Sequence, residues 1–65
     1  MVRNSVAQRR LQRGWSQVRL AELLGVSRQT VISIEKGRFD PALPLAFRLA
    51  GVFDCAIEDL FTPEG

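Results

Sequence analysis

The sequence predicts an all-α domain of five short helices, and three observations carry that prediction. Apolar residues recur at helical spacing in several successive stretches, Ser16 and Ser27 stand as caps before two of them, and Gly14, Gly25 and Gly37 stand where three of them stop. The chain has 65 residues, 46% of them hydrophobic and 25% charged with both signs mixed, which is the composition of a folded unit and not of a disordered one. That length holds one domain, 1–65, and a domain so small buries a modest share of its surface and has marginal stability.

The first helix runs from about Asn4 to Arg13, where Val6 and Ala7, then Arg10 and Leu11 one turn later, give a narrow apolar stripe. Asn4 or Ser5 fits as its cap; Gly14 ends it in a left-handed conformation, and Trp15 folds back over the turn. Ser16 then caps a second helix, Gln17 to Leu24, with Leu20, Ala21 and Leu24 on one face and Arg19 and Glu22 on the other. After the stop at Gly25, Val26 is an apolar spacer and Ser27 caps a third helix, Arg28 to Lys36, with Val31 and Ile34 inward and Gly37 as its end. The stretch "RFDPALP" is a turn-rich connection. Beyond it a strongly apolar helix, from Ala42 or Pro44 to Phe53, forms the main slab of the core through Leu45, Leu49 and Val52, with Ala46, Ala50 and Phe53 alongside. A last helix, Ile57 to Phe61, sets Ile57, Leu60 and Phe61 against that slab.

Helices of about eight residues do not stand alone in water, so the two joined at Gly25 must pack on each other and on the first. Helix, short glycine turn, helix is the helix-turn-helix arrangement, here about 17–36 with 28–36 as the recognition helix. Ala21 is small where steeply crossed helices come closest, Gly25 supplies the positive φ of the turn, and Val26, Val31 and Ile34 fill the angle. On or near the outer face of the third helix lie Arg28, Gln29, Thr30 and Ser33, all able to hydrogen-bond base edges or phosphates.

Charge agrees only loosely. The net charge is +2, with Arg3, Arg9, Arg10, Arg13 and Arg19 near the start and Glu58, Asp59 and Glu64 near the end, so the basic end suits a polyanionic partner. A plain solvated helix face carries the same residues. Enzymatic chemistry has no seat: there is no histidine or tyrosine, the single Cys55 lacks a base, and the carboxylates are scattered. No metal, cofactor or small-molecule ligand is expected, and Cys55 reads as a small buried hydrophobe. With no apolar run near the roughly 18 residues of a membrane span and nothing like a signal peptide at the start, the expected compartment is the cytoplasm, with no membrane partner.

The run "WSQVRLAELLGVSRQTVISIEKGR", with "FDPALPLAFRLAGVF" and "IEDLF" after it, resembles the phage repressor and Cro family of helix-turn-helix regulators, also called Xre-like, over Val6 to Phe61. The tail is similar to that of a compact branch whose members are little more than the DNA-binding domain. The resemblance implies that Gln17 contacts a DNA phosphate and braces Gln29 or its neighbour, that Arg28, Gln29 and Ser33 read bases, and that Thr30 touches a base or phosphate. It implies too that Lys36, Gly37 and Arg38 meet the sugar-phosphate backbone, and that Arg10 and Glu35 form a buried ion pair joining the first helix to the third. Gln17 also fits as a plain first-turn helix residue, and Thr30 as an idle exposed one. Four features depart from the family pattern: Val18 at a position usually polar, the added charge of Arg9 and Arg13, Asp54 in place of a left-handed glycine, and Ala56 in place of a Ser or Thr cap.

The resulting expectation is a repressor-like domain that binds duplex DNA with its third helix in the major groove and regulates transcription. It acts as a homodimer on a two-fold symmetric site, through apolar residues near the chain's end: Phe53, Ile57 and, at the centre of the contact, Phe61. The alternative is a protein-interaction module, such as an antitoxin-like partner, docking through the apolar C-terminal helices.

Overall fold

The computed structural model describes residues 2–38 and 40–63. In chain order these form β1 (Val2–Asn4), α1 (Val6–Gln12), α2 (Gln17–Leu24), α3 (Arg28–Glu35), α4 (Leu43–Phe53), α5 (Ile57–Leu60) and β2 (Phe61–Pro63). The five helices are those expected, except that α5 stops at Leu60: Phe61, expected to end it, is extended and begins β2. Phe39, in the turn-rich connection, and Glu64, in the acidic end, lie outside the described residues.

One element was not expected. The two ends of the chain pair as an antiparallel ribbon, Val2 with Pro63, Arg3 with Thr62 and Asn4 with Phe61, so the first helix begins at Val6 and not at Asn4. The cap of α1 is divided between two residues: Ser5 occupies the cap position with its Oγ turned to the Asp59 carbonyl and Arg9 Nε, each at 3.2 Å, and not to a first-turn amide, while Asn4 Oδ1 accepts from the Val6 amide at 3.2 Å. Asn4 also donates through Nδ2 to the Ile34 carbonyl at 2.8 Å, and the Ser5 amide donates to the Leu60 carbonyl at 2.9 Å. The start of the chain is thereby tied to the ends of α3 and α5.

Four helices end in the same way. After α1, α2, α3 and α4 the chain makes the paired 6→1 and 5→2 hydrogen bonds of a Schellman turn, seen in Trp15 to Arg10, Val26 to Ala21, Arg38 to Ser33 and Cys55 to Ala50. Such a turn needs a left-handed residue, supplied by Gly14, Gly25 and Gly37 at φ near 70° and by Asp54 at φ 53°. Each turn throws the next residue back over the helix just finished, which lets helices this short pack at steep angles.

The core joins all five helices: Val6 of α1, Leu20, Ala21 and Leu24 of α2, Val31 and Ile34 of α3, Leu49, Ala50 and Phe53 of α4, and Leu60 of α5. Trp15 lies against it with its ring 5.8 Å from that of Phe53. Two expectations are corrected here. Leu11 is 65% exposed, because α1 turns only Val6 fully inward, and Cys55 is half-buried against the core instead of inside it. No helix among the described residues is long and apolar enough to cross a membrane.

Candidate nucleic-acid interface

The helix-turn-helix is built from two helices with matching starts. Ser16, in extended conformation, accepts the Arg19 amide at 3.0 Å, and Ser27 accepts the Thr30 amide at 3.2 Å. In each case one serine oxygen satisfies the third amide of the helix, while the first two have no carbonyl behind them in the helix. Those of α2, at Gln17 and Val18, and of α3, at Arg28 and Gln29, give each helix an electropositive end of the kind that holds phosphate oxygens.

The outer side of α3 forms a polar hollow of about 340 Å³ lined by Ser27, Gln29, Thr30, Ser33 and Arg38. Its shape follows from the two ends of the helix. At the start, the Ser27 and Thr30 hydroxyls lie 3.0 Å apart and so hold each other. At the far end, the Schellman turn at Gly37 carries the Arg38 amide back to the Ser33 carbonyl at 3.0 Å, which returns Arg38 to the helix it has just left. Four of the residues expected to touch DNA, Gln29, Thr30, Ser33 and Arg38, thus meet in one concavity. Ser27 joins them; the sequence marked it as a cap only. Arg28 stands exposed at the first turn and Lys36 exposed at the last.

Gln17 is placed differently from the expectation. It does not brace Gln29; its Nε2 donates to Glu35 Oε1 at 3.1 Å. Glu35 in turn accepts from Arg10 Nε at 2.7 Å and Nη2 at 3.4 Å, with the two charged side chains only 11% and 7% exposed, so the ion pair between α1 and α3 is present and largely dry. Arg10 also donates through Nη1 to the Trp15 carbonyl at 2.8 Å, immediately before the Ser16 cap. One guanidinium and one carboxylate therefore grip the beginning of α2 from both sides.

The N-terminal basic cluster is not a simple DNA-facing patch. Arg10 is spent on Glu35 and Trp15. Arg13 donates through Nη2 to the Phe53 carbonyl at 2.8 Å, and its guanidinium carbon lies 5.6 and 5.1 Å from the ring centres of Trp15 and Phe53. It closes the end of α4 and stacks on the core. The expected dimer contact is also revised at one residue. Phe53 is 1% exposed and wholly used by the chain's own core, whereas Ile57 and Phe61 are half-buried and line a second hollow of about 200 Å³ with Asp40, Pro41 and Ala46.

Comparison with known proteins agrees with this geometry. The pattern of the helix-turn-helix family matches residues 6–60. An uncharacterized HTH-type transcriptional regulator of Methanocaldococcus jannaschii is 57% identical over 49 residues, covering 75% of this chain and 74% of its own. YgzD, an uncharacterized HTH-type transcriptional regulator of Bacillus subtilis, is 43% identical over 60 residues, covering 92% of this chain and 91% of its own. Among solved structures, a hypothetical transcription factor NHTF from Neisseria superposes with a TM-score of 0.76 at 30% identity. That match covers 83% of this chain and 61% of the other, so the present chain spans less than two thirds of its solved neighbour's length. With a capped pair of helices crossing at Gly25, a polar outer face on the second of them and these relatives, the chain belongs to the repressor and Cro-type helix-turn-helix family of DNA-binding transcriptional regulators.

Proposed function

We propose that this chain binds duplex DNA sequence-specifically by placing α3 in the major groove, and that it regulates transcription as a homodimer on a two-fold symmetric site. The observation that carries the reading is the polar hollow on α3. Gln29 and Ser33 present donors and acceptors of the kind that read base edges, and Arg38 lies at the hollow's margin, where a phosphate strand would pass. Arg28 and Lys36 add positive charge at the two ends of the helix, and the open amides of α2 offer a second phosphate seat. Pairing of two chains is supported by the half-buried Ile57 and Phe61 beside their apolar hollow, on elements separate from α3. Binding to a two-fold site requires such a dimer to hold its two recognition helices about one DNA turn, roughly 34 Å, apart.

Selection of bound sequences from a random duplex pool tests the proposal. An inverted repeat with half-sites about 10 base pairs apart is the expected outcome. Recovery of no preference, with binding that does not weaken as salt rises, would instead favour a protein-docking module. The dimer contact has its own test: Ile57→Asp, checked by thermal melt to be folded, should bind a half-site like the parent and lose its advantage on the full site.

A further inference from the structure

We propose that Glu35 is a positioning residue for DNA contact, acting through Gln17, and is not only half of a structural ion pair. The proposal rests on the DNA-binding reading above and deepens it. Glu35 accepts from three groups: Arg10 Nε and Nη2 on α1, and Gln17 Nε2 at the first residue of α2. Of the two residues that supply these groups, Gln17 is the one at a helix start expected to meet phosphate.

A free glutamine side chain loses much rotamer freedom when it is fixed on a ligand, and its amide can face either way. The bond to Glu35 removes both uncertainties before DNA arrives. A carboxylate only accepts, so it compels the Gln17 NH₂ group to face it. One N–H is then taken, and the second is left for an acceptor such as a phosphate oxygen at the start of α2. An unneutralised Glu35 would repel that phosphate. Arg10 cancels its charge at 2.7 Å, and its own bond to the Trp15 carbonyl fixes the chain entering α2. The three residues thus convert the packing of α1 against α3 into the orientation of a side chain on α2.

The test is a double-mutant cycle on a 20-base-pair duplex, using the full chain with Gln17→Ala, Glu35→Gln and both, titrated over a range of salt at a temperature where melts show each variant folded. Each single change should weaken binding roughly two- to tenfold, the weight of one hydrogen bond, and Gln17→Ala should leave the salt slope unchanged because glutamine carries no charge. In the Gln17→Ala background, Glu35→Gln should have no further effect. In the DNA-free protein, the Gln17 side-chain amide should exchange slowly with solvent, and faster in Glu35→Gln. Should Glu35→Gln fail to fold, the variant carrying both Arg10→Met and Glu35→Met keeps the volume, leaves Gln17 without its acceptor, and should bind like Gln17→Ala. Equal losses from Glu35→Gln with and without Gln17, or an amide indifferent to that change, would overturn the positioning role. A slowly exchanging amide in a chain that shows no salt-dependent binding would overturn the interface reading instead, and with it the use assigned to this bond.

Discussion

Residue by residue, the most consequential arrangement is the largely dry pair of Arg10 and Glu35. Breaking a buried pair by removing one partner leaves a charge with no compensation, whereas replacing both with apolar groups removes the need for compensation. Glu35→Ala should therefore destabilise the domain by about 3–5 kcal/mol, and the double replacement by methionine considerably less, in denaturant melts of the three proteins. A Glu35→Ala midpoint equal to the parent's would show that water already shields Arg10. This pair, 25 residues apart, was legible only through the family resemblance, since charge alone gives no direction to a side chain. Arg13 illustrates the point: it was counted as surface charge, yet it is held by the Phe53 carbonyl and two aromatic rings. The Gln17 bond to Glu35 was not legible either, because a glutamine reaches several neighbours and only the packing angle selects one.

At the level of elements, three helix starts within one molecule provide an internal comparison. Ser16, Ser27 and Ala56 have nearly the same backbone, with φ of −76°, −75° and −79° and ψ of 166°, 156° and 155°. Only the first two offer an oxygen to the third amide. At α5 half of a capping box is already made, since Asp59 Oδ2 accepts the Ala56 amide at 3.1 Å, and a serine at 56 would complete it. Ala56→Ser should raise stability by about 0.5–2 kcal/mol in a denaturant melt; a less stable variant would mean that a serine there cannot reach the Asp59 amide. Asp54→Gly removes left-handed strain but adds freedom to the unfolded chain, so its net effect should lie within about 1 kcal/mol of zero. Caps and stops were legible because a serine or glycine at these places has one dominant local use. The terminal ribbon was not: three-residue strands are too short to show alternation, and their pairing joins opposite ends of the chain. Asn4 is its most telling residue, bonded to both the Val6 amide and the Ile34 carbonyl. Asn4→Ala should cost about 1–3 kcal/mol in the same melt, by stranding part-buried polar groups. A neutral result would mean that water replaces both bonds.

For the whole molecule, the fold works as a mount for α3. Helix α1 holds it through Arg10 and Glu35, the chain start holds its end through Asn4, and the core fixes its inner face through Val31 and Ile34, leaving the polar hollow outward. The five-helix plan was readable from spacing because every helix buries one stripe. The fate of surplus apolar residues was not, since the same periodicity serves a core or a partner. Thus Phe53 closes the core, while Leu43 and Phe47, one turn apart on α4, stand 62% and 59% exposed. The central claim is a division of labour on the mount: Gln29 reads a base and Arg38 holds the backbone. The most direct measurement is the affinity of Gln29→Ala and Arg38→Ala for the selected site and for scrambled duplexes, as a function of salt. Gln29→Ala should lose about 1–3 kcal/mol on the selected site, relax preference at one position and keep its salt slope. Arg38→Ala should weaken all duplexes about equally and lower the slope by about 1. Indistinguishable profiles for the two variants would contradict the account.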